Sequence, residues 1–276
     1  MAITASDVNK LRQQTGAGMM DCKNALVEAN GDFEAAIDIL RKKGQKIAAK
    51  RGDNEAKEGV VLAQASADGK SGVILTLNCE TDFVAKNEGY VALVQSLVDL
   101  ALAKNPANVE ELKALSYDDR LTVDEKITEQ IGVIGEKLDL SGYAAVNASK
   151  VVAYNHPGNQ LATLVGFSAD GDEMNEVGRQ VAMQVAAMNP IAIDKSGVDQ
   201  NTIDRELEIG KELAIQEGKP ADMAEKISQG RLNKFFKENT LLSQQFIRDD
   251  KLTVEQFLDN TSKGLTVTEF KRFSLS

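Results

Sequence analysis

One unit is written twice in this chain. Apolar runs "GVVLAQASA" (59–67) and "SGVILTLN" (71–78) flank Asp68-Gly69-Lys70, and Asp-Gly between apolar runs is the strongest short-range signal of a β-hairpin. A helical period follows, with Tyr90, Leu93, Val94, Leu97, Val98 and Ala101 on one face, and it stops before Asn105-Pro106. The order then returns. "SKVVAYN" (149–155) and "NQLATLVGF" (159–167) flank His156-Pro157-Gly158, a helix carries Val177, Val181, Val185 and Met188, and Asn189-Pro190 ends it. Strand, turn, strand, helix and Asn-Pro, repeated, restrict the fold to an α+β core of two related halves with antiparallel strands.

The two copies differ between the second strand and the helix. The second copy crosses with "SADGDEM" (168–174); the first has a longer crossing that contains Cys79, Asp82 and Phe83 within "NCETDFVAKN" (78–87). Extra loop length on one copy is a usual place for function. Two readings of Phe83 stand at this point: a staple folded back onto its own helix, or an aromatic offered to a partner.

Composition removes several classes. The net charge of −10 argues against a binder of phosphate backbones, which needs clustered Lys and Arg. The one basic run, "KIAAKR" (46–51), reads as solvated linker. No apolar stretch approaches the roughly 18 residues of a membrane span. The opening "MAITASDVNKLRQQ" has neither the apolar region of a signal peptide nor an Arg-rich transit character, so a cytoplasmic protein is expected. With one histidine, His156, and two distant cysteines, Cys22 and Cys79, no zinc set and no nucleophile–histidine motif can be assembled. The 42 acidic residues leave carboxylate chemistry open but unsupported.

The rest of the chain parses into helices and one late strand. Thr4 or Ser6 can cap "DVNKLRQQ"; a second helix runs through "MMDCKNALVEA"; Asp32 caps "FEAAIDILRKK", which should stop at Gly44. Cys22, Ala25, Leu26 and Ala29 share the core face of the second helix, with Met20, Lys23 and Val27 opposite. Periodicity leaves Met20 open between core packing and partner contact, and Met19 lies at the border. Helical arms at 200–216 and 221–238 meet at Gly218-Lys219-Pro220. "TVEQFLDN" is a short helix, and "GLTVTEFKRFSL" (264–275) alternates like an edge strand that completes the second sheet, which makes the helical arms an insertion. The expected divisions are 1–45, a linker at 46–57, core halves at 58–140 and 141–195 with completion at 241–276, and the insertion at 196–240. "GKS" (69–71) and "GAGMMD" (16–21) imitate phosphate loops but stand in a hairpin turn and a helix connection, the wrong contexts. By itself, His156 reads as a solvated turn histidine.

Taken in order, "ITASDVNKLRQQTGAGMMDCKNALVEANGD" (3–32), "NCETDFVAKN", "IGEKLDL" (134–140), "YNHPG" (154–158) and "GKPADMAEKISQGRLNKF" (218–235) resemble the bacterial elongation factor Ts family, the nucleotide exchange factors of elongation factor Tu. The likeness covers nearly the whole chain, and "TGAGMMDCK" and "TDFVAKN" are its most specific parts. It implies an N-terminal three-helix bundle like a ubiquitin-associated domain, a core of two related subdomains with antiparallel sheets and helices, and an inserted coiled-coil hairpin. It further implies that Asp82 and Phe83, flanked by Thr81 and Val84, intrude near the magnesium and nucleotide site of elongation factor Tu. Met19, Met20, Lys23, Cys79, Ile134, Gly135, His156 and Ile247 join the implied partner contacts. No cofactor, metal, nucleic acid or membrane is implied; the hairpin is a candidate surface for a homodimer. Departures occur at Gln245-Phe246-Ile247-Arg248, where the family often has Gln-Pro-Phe and two apolar residues, and at Ser141-Gly142, where paired arginines are common. A C-terminal module found in some members is not expected, since the sequence given stops at Ser276. A carboxylate-pair hydrolase and a ubiquitin-type adaptor built on residues 1–45 are the rival readings.

Overall fold

The computed structural model describes residues 3–275. Helices α1 (Ala5–Thr15), α2 (Met19–Glu28) and α3 (Phe33–Arg51) form the N-terminal bundle around Val8, Leu11, Cys22, Ala25, Leu26, Ala36 and Ile37. Thr4 is the cap of α1, in a reciprocal box with Asp7, and Asp32 caps α3. Met20, Lys23 and Val27 face solvent, with Met20 64% exposed.

Strands β1 (Glu58–Ala65) and β2 (Ser71–Cys79) form the expected hairpin, with Glu58 opposite Cys79. Four helices follow: α4 (Asp82–Ala85), α5 (Glu88–Lys104), α6 (Val109–Ala114) and α7 (Val123–Ile134). Strand β3 (Asp139–Asn147) then pairs with β2, so the first sheet is ordered β1-β2-β3 and its last strand runs across the expected division at residue 140. The six apolar residues read from the periodicity of α5 are all buried against this sheet.

The second sheet begins with β4 (Lys150–Asn155) and β5 (Leu161–Phe167), followed by α8 (Met174–Met188), which buries Val177, Val181 and Val185 but leaves Met188 exposed. Both α5 and α8 end on a left-handed asparagine, Asn105 (φ +48°) and Asn189 (φ +43°), just before proline. Asn tolerates that conformation, and proline disfavours continuing the helix. Next come α9 (Gln200–Gln216), α10 (Ala221–Asn239), a small ribbon of β6 (Gln245–Phe246) and β7 (Asp249–Thr253), α11 (Val254–Thr261) and β8 (Val267–Ser274). β8 pairs with β5 and completes the order β4-β5-β8.

The sheets stack face to face through Val61, Ala63 and Ile74 on one side and Val151, Ala162 and Leu164 on the other. A Cβ on Gly72 would stand 2.7 Å from Leu164 Cδ1, so the approach depends on that glycine. Backbone groups also cross the seam. Val61 N–H donates to Asn159 O at 2.7 Å, Val151 N–H to Gly69 O at 2.6 Å, and the Asn155 amide pairs with both backbone groups of Ala63.

The expected stop at Gly44 and linker from residue 46 are corrected by α3, which runs on to Arg51 and absorbs "KIAAKR" as its last turns. Gly44 is buried where α3 crosses α7: a Cβ on it would lie 3.0 Å from Thr128 O, and one on Gly132 would lie 2.7 Å from Gly44 Cα. The missing side chain serves a close helix crossing here, not a left-handed turn. Gly132→Val should therefore separate the two helices and cost about 1–3 kcal/mol, as overpacking does; thermal or urea unfolding measures it.

In the helical insertion, Gly210 of α9 packs on Ser228 of α10, and Gly218 takes φ +78° at the tip. Its entry and exit are adjacent, since Ile191 N–H donates to Asn239 O and Leu241 N–H to Ala192 O, both at 2.9 Å. Replacing residues 196–239 by a short Gly-Ser linker should leave one cooperative core melt; a molten product would show that the arms are part of the core.

Candidate functional site

β2 ends at Cys79, and the chain then makes the single helical turn of α4. Thr81 caps it: its Oγ1 accepts from Val84 N–H at 3.4 Å and donates to Glu136 Oε1 at 2.7 Å. Glu136 Oε2 accepts from the backbone N–H groups of Thr81 at 3.0 Å and Glu80 at 3.2 Å. Glu80 turns the other way. It accepts from Lys137 N–H at 2.6 Å, from Arg51 Nη1 at 2.9 and 2.8 Å, and from Asn54 Nδ2 at 3.0 Å. The Lys137 amide, more than the Arg51 charge, holds the Glu80 carboxyl below its ordinary range. Hydrogen bonds to a carboxylate are charge-assisted and stronger than neutral ones. Two carboxylates thus clasp one short turn.

That clasp decides what the turn displays. Val84 and Ala85 pack on the core of the first sheet, and Asn87 caps α5 immediately after. Phe83 points away and is 84% exposed, so the staple reading is excluded. Asp82 is held by Lys86 Nζ at 2.6 Å, and that hydrogen bond, with the Lys86 charge, keeps its carboxyl below the usual range. Both partners are exposed, and exposed ion pairs contribute little, so Lys86 can release Asp82 to another cation or donor. Cys79, expected among the contacts, is fully buried. Its Sγ donates to Thr81 O at 3.2 Å, and burial pushes the thiol up to about 11. It supports the turn from below and does not reach the surface.

The remaining candidates fall in different places. Ile134 is the half-buried last residue of α7, packed on the first core, and Gly135 leaves the helix at φ +82°. That left-handed step delivers Glu136 to Thr81. His156 is exposed in a turn closed by Asn159 N–H to His156 O at 3.0 Å, with Pro157 at the second position and Gly158 at φ +92° at the third, the pattern of a type II bend. Tyr154 Oη lies 3.0 Å from its Nδ1. Because Asn159 bonds β1 at Val61 and β1 begins opposite Cys79, the His156 turn stands at the same end of the sheets as α4. Met19, Met20 and Lys23 are exposed on α2. Ile247 is exposed in the β6–β7 turn, its N–H donating to Gln184 Oε1 at 2.9 Å. Sequence reading missed Glu80, Glu136 and Arg51; the signal it had was the "IGE" run, read for its first two residues only.

Among the described residues no cluster of three His, Cys, Asp or Glu side chains could hold a metal, and no helix is long and apolar enough to cross a membrane. The family profile described as "Elongation factor TS" matches residues 80–276. The elongation factor Ts of Amoebophilus asiaticus is 55% identical, over 99% of this chain and 98% of that protein. The chain belongs to the elongation factor Ts family. The elongation factor Ts of Porphyromonas gingivalis is 51% identical over 100% of this chain and 99% of its own length, and that of Cytophaga hutchinsonii 51% over 99% of each. Elongation factor Ts acts in translation elongation, as the nucleotide exchange factor of elongation factor Tu.

An aromatic that is exposed in the folded chain should matter little to folding. Phe83→Ala should change unfolding free energy by no more than about 0.5 kcal/mol, the usual range for surface substitutions. A loss near the roughly 3–5 kcal/mol of a buried Phe truncation, measured in urea, would overturn the placement.

Proposed function

We propose that this chain exchanges guanine nucleotide on elongation factor Tu by inserting Phe83 as a wedge, with Asp82 beside it, and that it makes and breaks no covalent bond. The observation that carries the reading is a bare aromatic displayed on an ordered turn. Loops that bind usually combine such a displayed group with a rigid support. A wedge that binds the nucleotide-free partner better than the loaded one must weaken nucleotide binding by the same factor, because coupling free energy is reciprocal. Phe83 supplies apolar area for the partner's interior. Asp82, on parting from Lys86, brings a negative charge toward a magnesium site and competes with its ligands. The hydrolase alternative loses support from the same geometry, since the carboxylates of Glu80 and Glu136 are occupied by backbone amides and Arg51. Action without direct contact to nucleic acid agrees with the net charge of −10.

The test is GDP release from elongation factor Tu at saturating exchange factor. Phe83→Ala should slow it markedly and weaken the complex by about 2 kcal/mol or more, as loss of an interface anchor does. Asp82→Ala should show a milder form of the defect. Equal release by Phe83→Ala and the parent chain at saturation would sink the wedge.

Two further contacts belong to the same proposal. Met20, exposed opposite the bundle core, adds affinity more than rate; Met20→Ala should weaken the complex without moving the melt, and loss of stability on the scale of a buried Met would favour the core reading. The arms of the insertion expose Ile209, Leu213 and Met223, which supports self-association there. Leu213→Glu should lower the dimer fraction measured by sedimentation; a monomeric parent chain would overturn self-association there.

A further inference from the structure

We infer that Glu136 is a positioning residue for nucleotide exchange: together with the Arg51–Glu80 pair it fixes the turn that presents Phe83, without touching the partner. This rests on the wedge reading above.

A helix of one turn does not hold itself. Nucleation fixes several backbone angles for one hydrogen bond, and α4 spans only four residues. Its own cap bond is long, 3.4 Å from Val84 N–H to Thr81 Oγ1. Stronger bonds fix the chain just ahead of it. Glu136 takes the amides of residues 80 and 81 and orients the capping hydroxyl at 2.7 Å. Glu80 ties the same point to Arg51 at the last residue of α3 and to the Lys137 amide. The Glu80 carboxylate is only 16% exposed, so its pair with Arg51 is better shielded from water than the Asp82–Lys86 pair beyond it. Lys137 Nζ closes the corner by donating to the carbonyls of Gly52 and Asn54 at 2.7 and 2.9 Å.

The consequence concerns orientation. An aromatic carried on a frayed turn must be ordered at the moment of insertion, and that ordering opposes binding. Removing the Glu136 carboxylate returns two amides and one hydroxyl to water while leaving Phe83 in place. Both Glu136 oxygens are engaged by groups of the turn itself, two amides and a hydroxyl, so removing the carboxylate acts first on the turn.

Parent chain, Phe83→Ala, Glu136→Ala and the double variant are compared for GDP release from elongation factor Tu at saturating factor, with hydrogen exchange of the amides of residues 84–86 in the free proteins. Glu136→Ala should slow release by about tenfold, as small displacements of acting groups do, and should speed exchange of those amides. The double variant should be no slower than Phe83→Ala alone, since two residues acting through one group are not additive. Parent-like release by Glu136→Ala, or defects that multiply in the double variant, would overturn the positioning role. If Phe83→Ala itself releases like the parent, the wedge fails and not merely its support. Should Glu136→Ala fail to fold, Arg51→Ala is the second variant. It should slow release by about threefold and lose that effect in the Phe83→Ala background; unchanged release by Arg51→Ala would overturn the inference.

Discussion

The seam between the two sheets fixes where everything else can stand. Each sheet buries one face on the other through aliphatic side chains and Gly72, and covers its opposite face with helices, chiefly α5 on one and α8 on the other. With both faces occupied, only strand ends and the connections between elements remain free to act. The Asn155 amide, bonded to both backbone groups of Ala63, sets the register of the halves. That register brings the end of β2 and the His156 turn to one end of the core.

The second constraint is the crossing of α3 with α7. Gly44 and Gly132 let the two backbones meet, and Arg41 reaches Glu125 at 3.1 Å beside them. Through this crossing the N-terminal bundle is fixed to the helix whose end carries Gly135 and Glu136. The bundle that shows Met20 and the turn that shows Phe83 are therefore joined through one packed helix crossing. A partner engaging both would meet two preset surfaces, and pre-organisation lowers the ordering cost of association.

What the sequence disclosed follows the range of the physics. Hairpin turns, the apolar face of α5 and the Asn-Pro stops are set by residues within a few positions of one another, and they were legible. The end of α3 was misread because a glycine that permits a left-handed turn and one that permits a close crossing look alike until the crossing helix is known. β3 escaped notice because its burial is mostly partial and its partner lies on another segment. Phe83 stayed ambiguous for a similar reason. Whether it folds back or stands out depends on the direction of α4, and that depends on Glu136, 55 positions from Thr81. Local pattern contains no trace of such a bond.

A single exposed phenylalanine is tolerated on a protein surface, and here its neighbours are charged. It is flanked by Asp82 at the start of the turn and Lys86 at its C-cap, whose side chains pair with each other. Because Phe83 is nearly as open in the folded chain as in an unfolded one, folding draws almost nothing from its transfer free energy. A buried aromatic removes roughly 150–250 Å² from water, worth about 4–6 kcal/mol at about 25 cal/mol per Å². That quantity is withheld from the fold and remains available to a complex. Folding energy is spent instead on the clasp of Glu80 and Glu136, which keeps the aromatic displayed and prevents it from collapsing onto its own core. Support and display are thus assigned to neighbouring residues of one turn: Cys79, Thr81 and Val84 hold it, and Asp82 and Phe83 face outward.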